Sequence, residues 1–435
     1  MSGTSNTTEG LYAAAKNVVA DLASKLSSNS KIVTEQDAEF KVLHERWTNI
    51  GKKTPAAIVA VATEADVQET VKLCVAHGVE FVPKSGGHSL WSTIGAEGII
   101  IDLTAFNAVV VDKEARTVTV SGGSQIKDAV APLYKAGLCA PFGTANTVGS
   151  VAQAVNGGLT IFSGILGQTS DAILSARLLL YAIKGAGTYF GLITSLTFRA
   201  SPLSVLNSPD GTIWKTAAPF TVARIGELIN RLRLSPPPPN PVPRAPWSLP
   251  NHHMAMPVEA LGPFVWGEKR VSYANINDDF DPFCVTGGFK RHIVAGVPRV
   301  PGEPAVWEAE VKAYESFIEK EGAQAARSMA CLMYVGKGEA GRWEESAYGH
   351  RNVAAWIEAV CWYTEEKSYE AAWEWQVEAL RIVTERYEVG ETETFQNSQR
   401  ETPIESRFPG EGRLEKLTAL KREWDPKGVF TDVLL

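Results

Sequence analysis

Cysteine is scarce in this chain. Five thiols, Cys74, Cys139, Cys284, Cys331 and Cys361, are spread over 435 residues. Their number is odd and none falls in a CxxC, which excludes a disulfide framework and a zinc knuckle. Histidine is nearly as rare: of seven copies, none stands in HxxxH or HExxH spacing with His88, so no metal is expected. Concentrated positive charge is missing too. The net charge is -7 and no basic run is denser than KR or KREW, so the chain lacks the footprint that neutralises nucleic-acid phosphates. Long apolar runs are also missing. The N-terminal stretch from Met1 to Leu26 has neither a basic n-region nor a continuous apolar core, so no secretory signal is expected. The expectation is a soluble, cytoplasmic protein without a membrane partner, with secretion by an unmarked route left open.

What is present is a 45% hydrophobic chain long enough for two or three domains. Leu11, Ala15, Val18, Val19, Leu22 and Leu26 recur at helical spacing and predict an amphipathic helix packed on the body. From Pro55 onward strands and helices alternate. AAIVAVAT reads as a strand, and Thr63 with Asp66 as a capping box opening a helix that Gly78 ends. VEFVP, GIIIDL, AVVVD and TVTVSGG read as further strands. SQIKDAVAPLYKAG reads as a second helix with Ser124 as N-cap and Gly137 as stop. The result is an α+β domain with one βαβ crossover. A glycine-rich region follows, then an alternating strand near Ala200. Beyond about residue 205 the chain becomes tryptophan-rich and is interrupted by SPPPPNPVPRAPWSLP, read as a stiff loop.

The stretch VEFVPKSGGHSL, Val79 to Leu90, places two glycines and a histidine at the end of a strand. A dinucleotide fingerprint needs GxGxxG opening a helix directly after a strand. KSGGHSLWSTIGAEG does not open one, and Gly185-Ala-Gly187-Thr-Tyr-Phe-Gly191 has one residue too many. A nicotinamide-dependent dehydrogenase is therefore the weaker alternative. What remains is a nest: successive backbone N–H groups of Ser85, Gly86, Gly87 and His88 can bind a pyrophosphate without a helix. The glycines keep the approach open. Taken alone, these residues leave open that His88 is an ordinary turn residue.

From Trp47 to Ala200 the chain resembles the flavin-binding domain of FAD-linked oxidases of the vanillyl-alcohol-oxidase type, in particular berberine-bridge-enzyme-like and 6-hydroxynicotine-oxidase-like members. PKSGGHS resembles the family's pyrophosphate loop, and Ile100-Ile101-Asp102-Leu103 its I-D-L strand. GTANTVGSVAQAVNGGL resembles its G-T-C-P-T-V-G...G-G-G-L segment, and YAIKGAGTYFGLITSLTF its W-A-I-R-G-A-G-x-N-F-G-I-V-T segment. RLEKLTALKREWDPKGVF resembles the closing helix and tail. The resemblance implies a two-subdomain PCMH-type FAD-binding domain and an α+β substrate domain made of an antiparallel sheet covered by helices.

It implies FAD held by Lys84, Ser85, Gly86, Gly87, His88, Ser89 and Leu90, by Asp102, and by Thr144, Thr147, Val148 and Gly149. Gly157, Gly158, Gly191, Ile193 and Asn397 complete that set. It also implies a covalent bond from His88 to the 8α-methyl of the flavin. Some relatives carry a second tether on a cysteine. Here that position is Ala145, and Cys139 lies six residues too early, so one bond is expected. Domains are expected at 1–46 (helical extension), 47–202 (flavin), 203–400 (substrate) and 401–435 (closing segment).

Hydride transfer from a small apolar or aromatic substrate of secondary-metabolite type is expected, with O₂ as acceptor. Tyr334, Tyr363 and His350 are the candidate bases. Relatives place a hairpin where this chain runs directly through Leu178-Leu179-Leu180-Tyr181, so a degenerate, non-catalytic flavin-binding protein is the other alternative.

Overall fold

The computed structural model describes residues 8–174, 179–217 except 207 and 209, 267–334, 346–395, and 402–435 except 432. The proline-rich stretch 235–250 lies outside them.

Strands β1 (Lys31–Val33), β2 (Ala57–Ala60), β3 (Glu80–Lys84) and β4 (Gly98–Asp102) form a sheet ordered β1-β2-β4-β3. β2 and β3 both run parallel to β4, so the crossover through helix Glu64–His77 steps over the strand between them. β4 is buried at every position, as expected of a parallel strand covered on both faces. The expected capping box is formed: Thr63 Oγ1 accepts from Asp66 N at 3.2 Å, and Asp66 Oδ2 accepts from Thr63 N at 2.8 Å. Helix Thr8–Leu22 lays Ala15, Val18 and Leu22 into the cluster of Val59, Cys74 and Ile101, with Val19 and Leu26 partly buried beside them, while Leu11 of the predicted face stays exposed and Leu26 falls beyond the helix end.

β5 (Val109–Asp112), β6 (Thr117–Ser121), β7 (Leu138–Cys139), β8 (Ser195–Arg199) and β9 (Ser201–Pro202) follow. They form the antiparallel sheet β5-β6-β8 and the pair β7-β9. Helix Ile126–Lys135 packs Ile126, Ala129, Val130 and Leu133 into this core. Its N-cap is Gln125 rather than Ser124. The Ser124 hydroxyl turns to the Ala108 carbonyl, and Gln125 with Asp128 makes the capping box instead.

β10 (Thr212–Ala217) and β11 (Gly267–Ser272) pair with each other. β12 (Phe289–Val297), β13 (Met329–Tyr334), β14 (Ala355–Tyr363) and β15 (Glu393–Thr394) form an antiparallel sheet ordered β13-β14-β12-β15. Strand alternation separates two faces. Ile293, Val297, Ala355, Ile357, Ala359, Cys361 and Tyr363 turn toward helices Pro304–Glu321 and Tyr369–Thr384, where Trp307 and Trp375 close the core.

The run from Leu180 does not continue as a strand. It enters helix Leu180–Ala186, which breaks at Lys184 (ψ 64) and Gly185 (φ +124). Ala182 and Ala186 pack with Phe408, Leu417 and Leu434, so the C-terminal helix Arg413–Trp424 closes on this segment. Lys421, fully buried, donates to the Tyr189 carbonyl at 2.6 Å and pairs with Asp425 at 2.5 Å. Asp425 also accepts from Val429 N and Phe430 N, and Phe430 meets Phe81 of β3 edge-on. Of the direct run Leu178-Leu179-Leu180-Tyr181, Leu178 lies outside the described residues, as do 175–177 before it.

Gly185 carries the contact between this helix and the far part of the chain. A Cβ there would lie 2.5 Å from Tyr348 N, in a backbone conformation that L side chains rarely adopt. Gly185→Ala should lower unfolding stability in urea by at least about 2 kcal/mol. An unchanged midpoint would show that the junction tolerates repacking.

Candidate active site

The base of the site is a buried ion pair. Lys84 ends β3 and faces Asp102 at the end of β4, Nζ to Oδ2 2.8 Å, with both side chains removed from water. The second Asp102 oxygen accepts from Thr104 N at 2.8 Å and from the Thr104 hydroxyl, and Lys84 O accepts from Leu103 N at 2.8 Å. The loop Ser85–Ser89 therefore leaves a rigid strand end.

A second loop, Thr147–Gly149, lies against it. A Cβ on Gly86 would stand 2.3 Å from Thr147 O, and one on Gly149 would stand 2.5 Å from Ser85 Oγ. The glycine requirement at Gly86 thus comes from loop-on-loop contact, a reason the sequence does not display. Across the same contact His88 Nε2 meets Thr147 Oγ1 at 2.8 Å, and the imidazole stacks on Trp47 at 5.5 Å. Loss of hydration, reinforced by the positive charge of Lys290, pushes the half-buried His88 down to about 4, so the ring is neutral near pH 7.

These residues fit a dinucleotide diphosphate. Among the described residues, the backbone N–H groups of Gly86, Gly87 and His88 meet no acceptor, and the buried Ser85 Oγ has no partner. Ser89 and Leu90 continue the loop, and Thr144, Val148 and Gly149 belong to the neighbouring turn. Gly157 and Gly158 stand elsewhere: a Cβ on Gly157 would touch the Tyr348 ring at 2.3 Å, and Gly158 abuts Thr169. Gly191 and Ile193 precede β8, with the Ile193 carbonyl against Gly122. Asn397 and the Tyr334 side chain lie outside the described residues. The GAG stretch Gly185–Gly187 sits at a helix break followed by a single 3₁₀ turn, so it does not open the helix a nicotinamide dinucleotide would need.

The second sheet contributes the face that its helices leave uncovered. At one end Lys290 is fully buried, donating to Trp47 O at 2.8 Å and to Val285 O at 2.5 Å, with Nζ 4.4 Å from the Trp362 ring centre. Burial lowers this ammonium to about 8. At the other end Val294, Val353 and Trp356 pack with Leu159, Met333 and Phe395. Between the two ends, His292 Nε2 meets Glu358 Oε2 at 3.2 Å, with Cys331 Sγ 3.8 Å from the same oxygen. Glu358 is buried, and its Oε1 has no partner among the described residues.

Tyr363 lies on the opposite, helix-covered face, stacked on Phe289 at 5.3 Å. His350 is buried in contact with Tyr348, Trp356 and Phe395, with Nδ1 2.7 Å from Glu393 Oε2. Sequence reasoning passed over Lys290, His292 and Glu358. The available signal was Glu358 as the one charge in AWIEAVCWY, and Lys290 and His292 two apart in FKRHIVAGV.

Comparison with known proteins agrees with this geometry. The family model FAD_binding_4, an FAD binding domain, matches residues 55–182. FAD-linked oxidoreductase hasG of Aspergillus fumigatus is 27% identical over 97% of this chain and 99% of its own length. Among solved structures, Physcomitrella patens BBE-like 1 superposes with TM-score 0.75 over 96% of this chain and 98% of that one, at 20% identity. Glucooligosaccharide oxidase from Acremonium strictum, which carries a 6-S-cysteinyl, 8α-N1-histidyl FAD, superposes with TM-score 0.74 over 96% and 98%, at 16% identity. The match over residues 55–182 is to an FAD binding domain, the whole chain is similar to FAD-linked oxidoreductases, and its fold is similar to that of the berberine-bridge-like structure; it is an oxidoreductase that binds FAD. No helix among the described residues is long and apolar enough to cross a membrane.

The depressed His88 has a consequence for stability. Unfolded, the ring titrates near 6.5; folded, near 4. The folded state therefore binds fewer protons between these values, and stability falls as pH drops from 6.5 to 4, by at most about 3 kcal/mol. In flavin-free protein, His88→Gln should flatten this part of the stability–pH curve. An identical slope in wild type and variant would place the titration elsewhere.

Proposed function

We propose that this oxidoreductase oxidises a carbon of a small apolar or aromatic molecule, with Glu358 taking the proton that accompanies the departing hydride. Bound FAD supplies the hydride acceptor at N5, and dioxygen its reoxidation to yield hydrogen peroxide. The loop Ser85–Ser89 and the turn Thr147–Gly149 hold the cofactor, and His88 is its single covalent tether. With Nε2 engaged by Thr147, the other nitrogen of a neutral ring is the nucleophile. Cys139 offers no second bond: it is buried, its Sγ faces the Ser201 carbonyl, and burial pushes its thiol up to about 12.

One observation carries the catalytic assignment. Lys290, His292 and Val294 step along the open face of β12 at about 6.6 Å intervals. The Lys290 end reaches Trp47 and so His88, while the Val294–Trp356 end reaches Leu159 and, through the His350 ring, Tyr348, which lies against Gly157. A ring system tethered at His88 and running toward Gly157 would pass beneath the middle of this face, where Glu358 and His292 stand. A buried carboxylate with one oxygen unpartnered among the described residues and one oxygen held by an imidazole suits proton acceptance. The surrounding Val294, Met333, Trp356 and Phe395 favour an apolar or aromatic substrate. The division into a flavin part, about 47–202, a substrate part, about 203–400, and a closing segment belongs to the same proposal.

Anaerobic mixing with a panel of aromatic and aliphatic alcohols should bleach the flavin with at least one of them, and air should restore the colour with peroxide. Glu358→Gln should slow bleaching by on the order of 10²- to 10⁴-fold while leaving flavin content and visible spectrum intact. An unchanged bleaching rate removes Glu358 from the chemistry.

A further inference from the structure

Arg46 lies one residue before the Trp47 that stacks on His88, and it is 2% exposed. Its backbone is clamped on both sides: Gly287 N donates to Arg46 O at 3.0 Å, and Trp47 N donates to Gly87 O at 3.0 Å. Arg46 Cα stands 3.5 Å from where a Cβ on Gly87 would be. The guanidinium donates through Nη2 to the Ser89 carbonyl, at the far end of the same loop. Its Nε and Nη1 have no acceptor among the described residues.

Buried arginines normally meet a carboxylate or phosphate, because an uncompensated cation away from water is expensive. The charges around Arg46 do not supply one. Asp102 is committed to Lys84 at 2.8 Å. Glu45 turns to Thr286 at the surface, 3.1 Å from its hydroxyl. Lys52 is a further cation, held below its ordinary range by burial and then by the field of Arg46, and His44 is bonded through Nε2 to the Lys53 carbonyl and held below its ordinary range by burial. Burial alone lowers the Arg46 guanidinium to about 10. Among the described residues the site therefore has a surplus positive charge and unpaired N–H donors, adjoining a loop in which the N–H groups of Gly86, Gly87 and His88 and the Ser85 hydroxyl are also unpaired.

We infer that Arg46 is the counter-cation for the diphosphate of FAD, binding phosphate oxygens through its unpaired donors and completing the anion site begun by the loop Ser85–Ser89. A planar guanidinium can grip two oxygens at once where an ammonium meets one. The inference rests on the diphosphate reading of that loop.

The test uses the full-length His88→Ala protein, in which flavin is free to exchange, titrated with FAD and with riboflavin, which has no phosphate, while following flavin fluorescence. The parent should bind FAD much more tightly than riboflavin. Adding Arg46→Met should weaken FAD by about tenfold to a hundredfold and leave riboflavin unchanged. Should that variant fold poorly, Arg46→Lys decides: it keeps the charge but loses the fork, and FAD should weaken about tenfold with riboflavin again unchanged. Equal weakening of both ligands, or of neither, overturns the role of Arg46. A parent that holds riboflavin as tightly as FAD instead overturns the diphosphate reading of the loop itself.

Discussion

The close approach of two loops governs this site. Ser85–Ser89 and Thr147–Gly149 touch backbone to backbone, with no room for a Cβ at Gly86 or Gly149. That contact aims His88 at Thr147 and leaves consecutive N–H groups without an acceptor among the described residues. It holds because both loops spring from fixed supports: one from strand ends locked by Lys84 and Asp102, the other from the N-terminus of helix Ser150–Ala154. The sequence GTANTVG therefore matters as much for shaping its neighbour as for meeting any ligand.

The second sheet then sets the electrostatics. Lys290 brings an ammonium to the histidine end, where it disfavours a charged imidazole. Glu358 brings a carboxylate to the middle of the same face. Val294 pairs with Glu358, so the two charges are about four positions apart along the paired strands. Tyr348, set against Gly157 and Gly185, and the Arg351–Asp171 pair at 2.6 Å fix this sheet to the rest of the chain.

Much of the first sheet was legible because its determinants are local. Apolar runs, the Thr63–Asp66 box and the glycine-bounded turns each act within a few residues. The loop PKSGGHS was legible as an anion nest for the same reason. The uncovered face of the second sheet was not. Its polar residues are single positions on strands dozens of residues apart, and only the register of β12 with β14 puts His292 diagonally across from Glu358. Arg46 was lost to a boundary drawn one residue late, since nothing in HERW reveals that its guanidinium turns back along a loop forty residues on. Ser124 was misread as a cap because the carbonyl that takes its hydroxyl comes from a different strand turn.

The central claim is that the histidine held between Trp47 and Thr147 carries the flavin, alone. Acid precipitation of the wild-type protein, proteolysis and mass spectrometry of the yellow peptide test it directly. The account predicts that all acid-stable flavin resides on one peptide, with the added mass of FAD on His88 and none on a peptide bearing Cys139. Flavin released completely into the acid supernatant, or found on any peptide lacking His88, would contradict it.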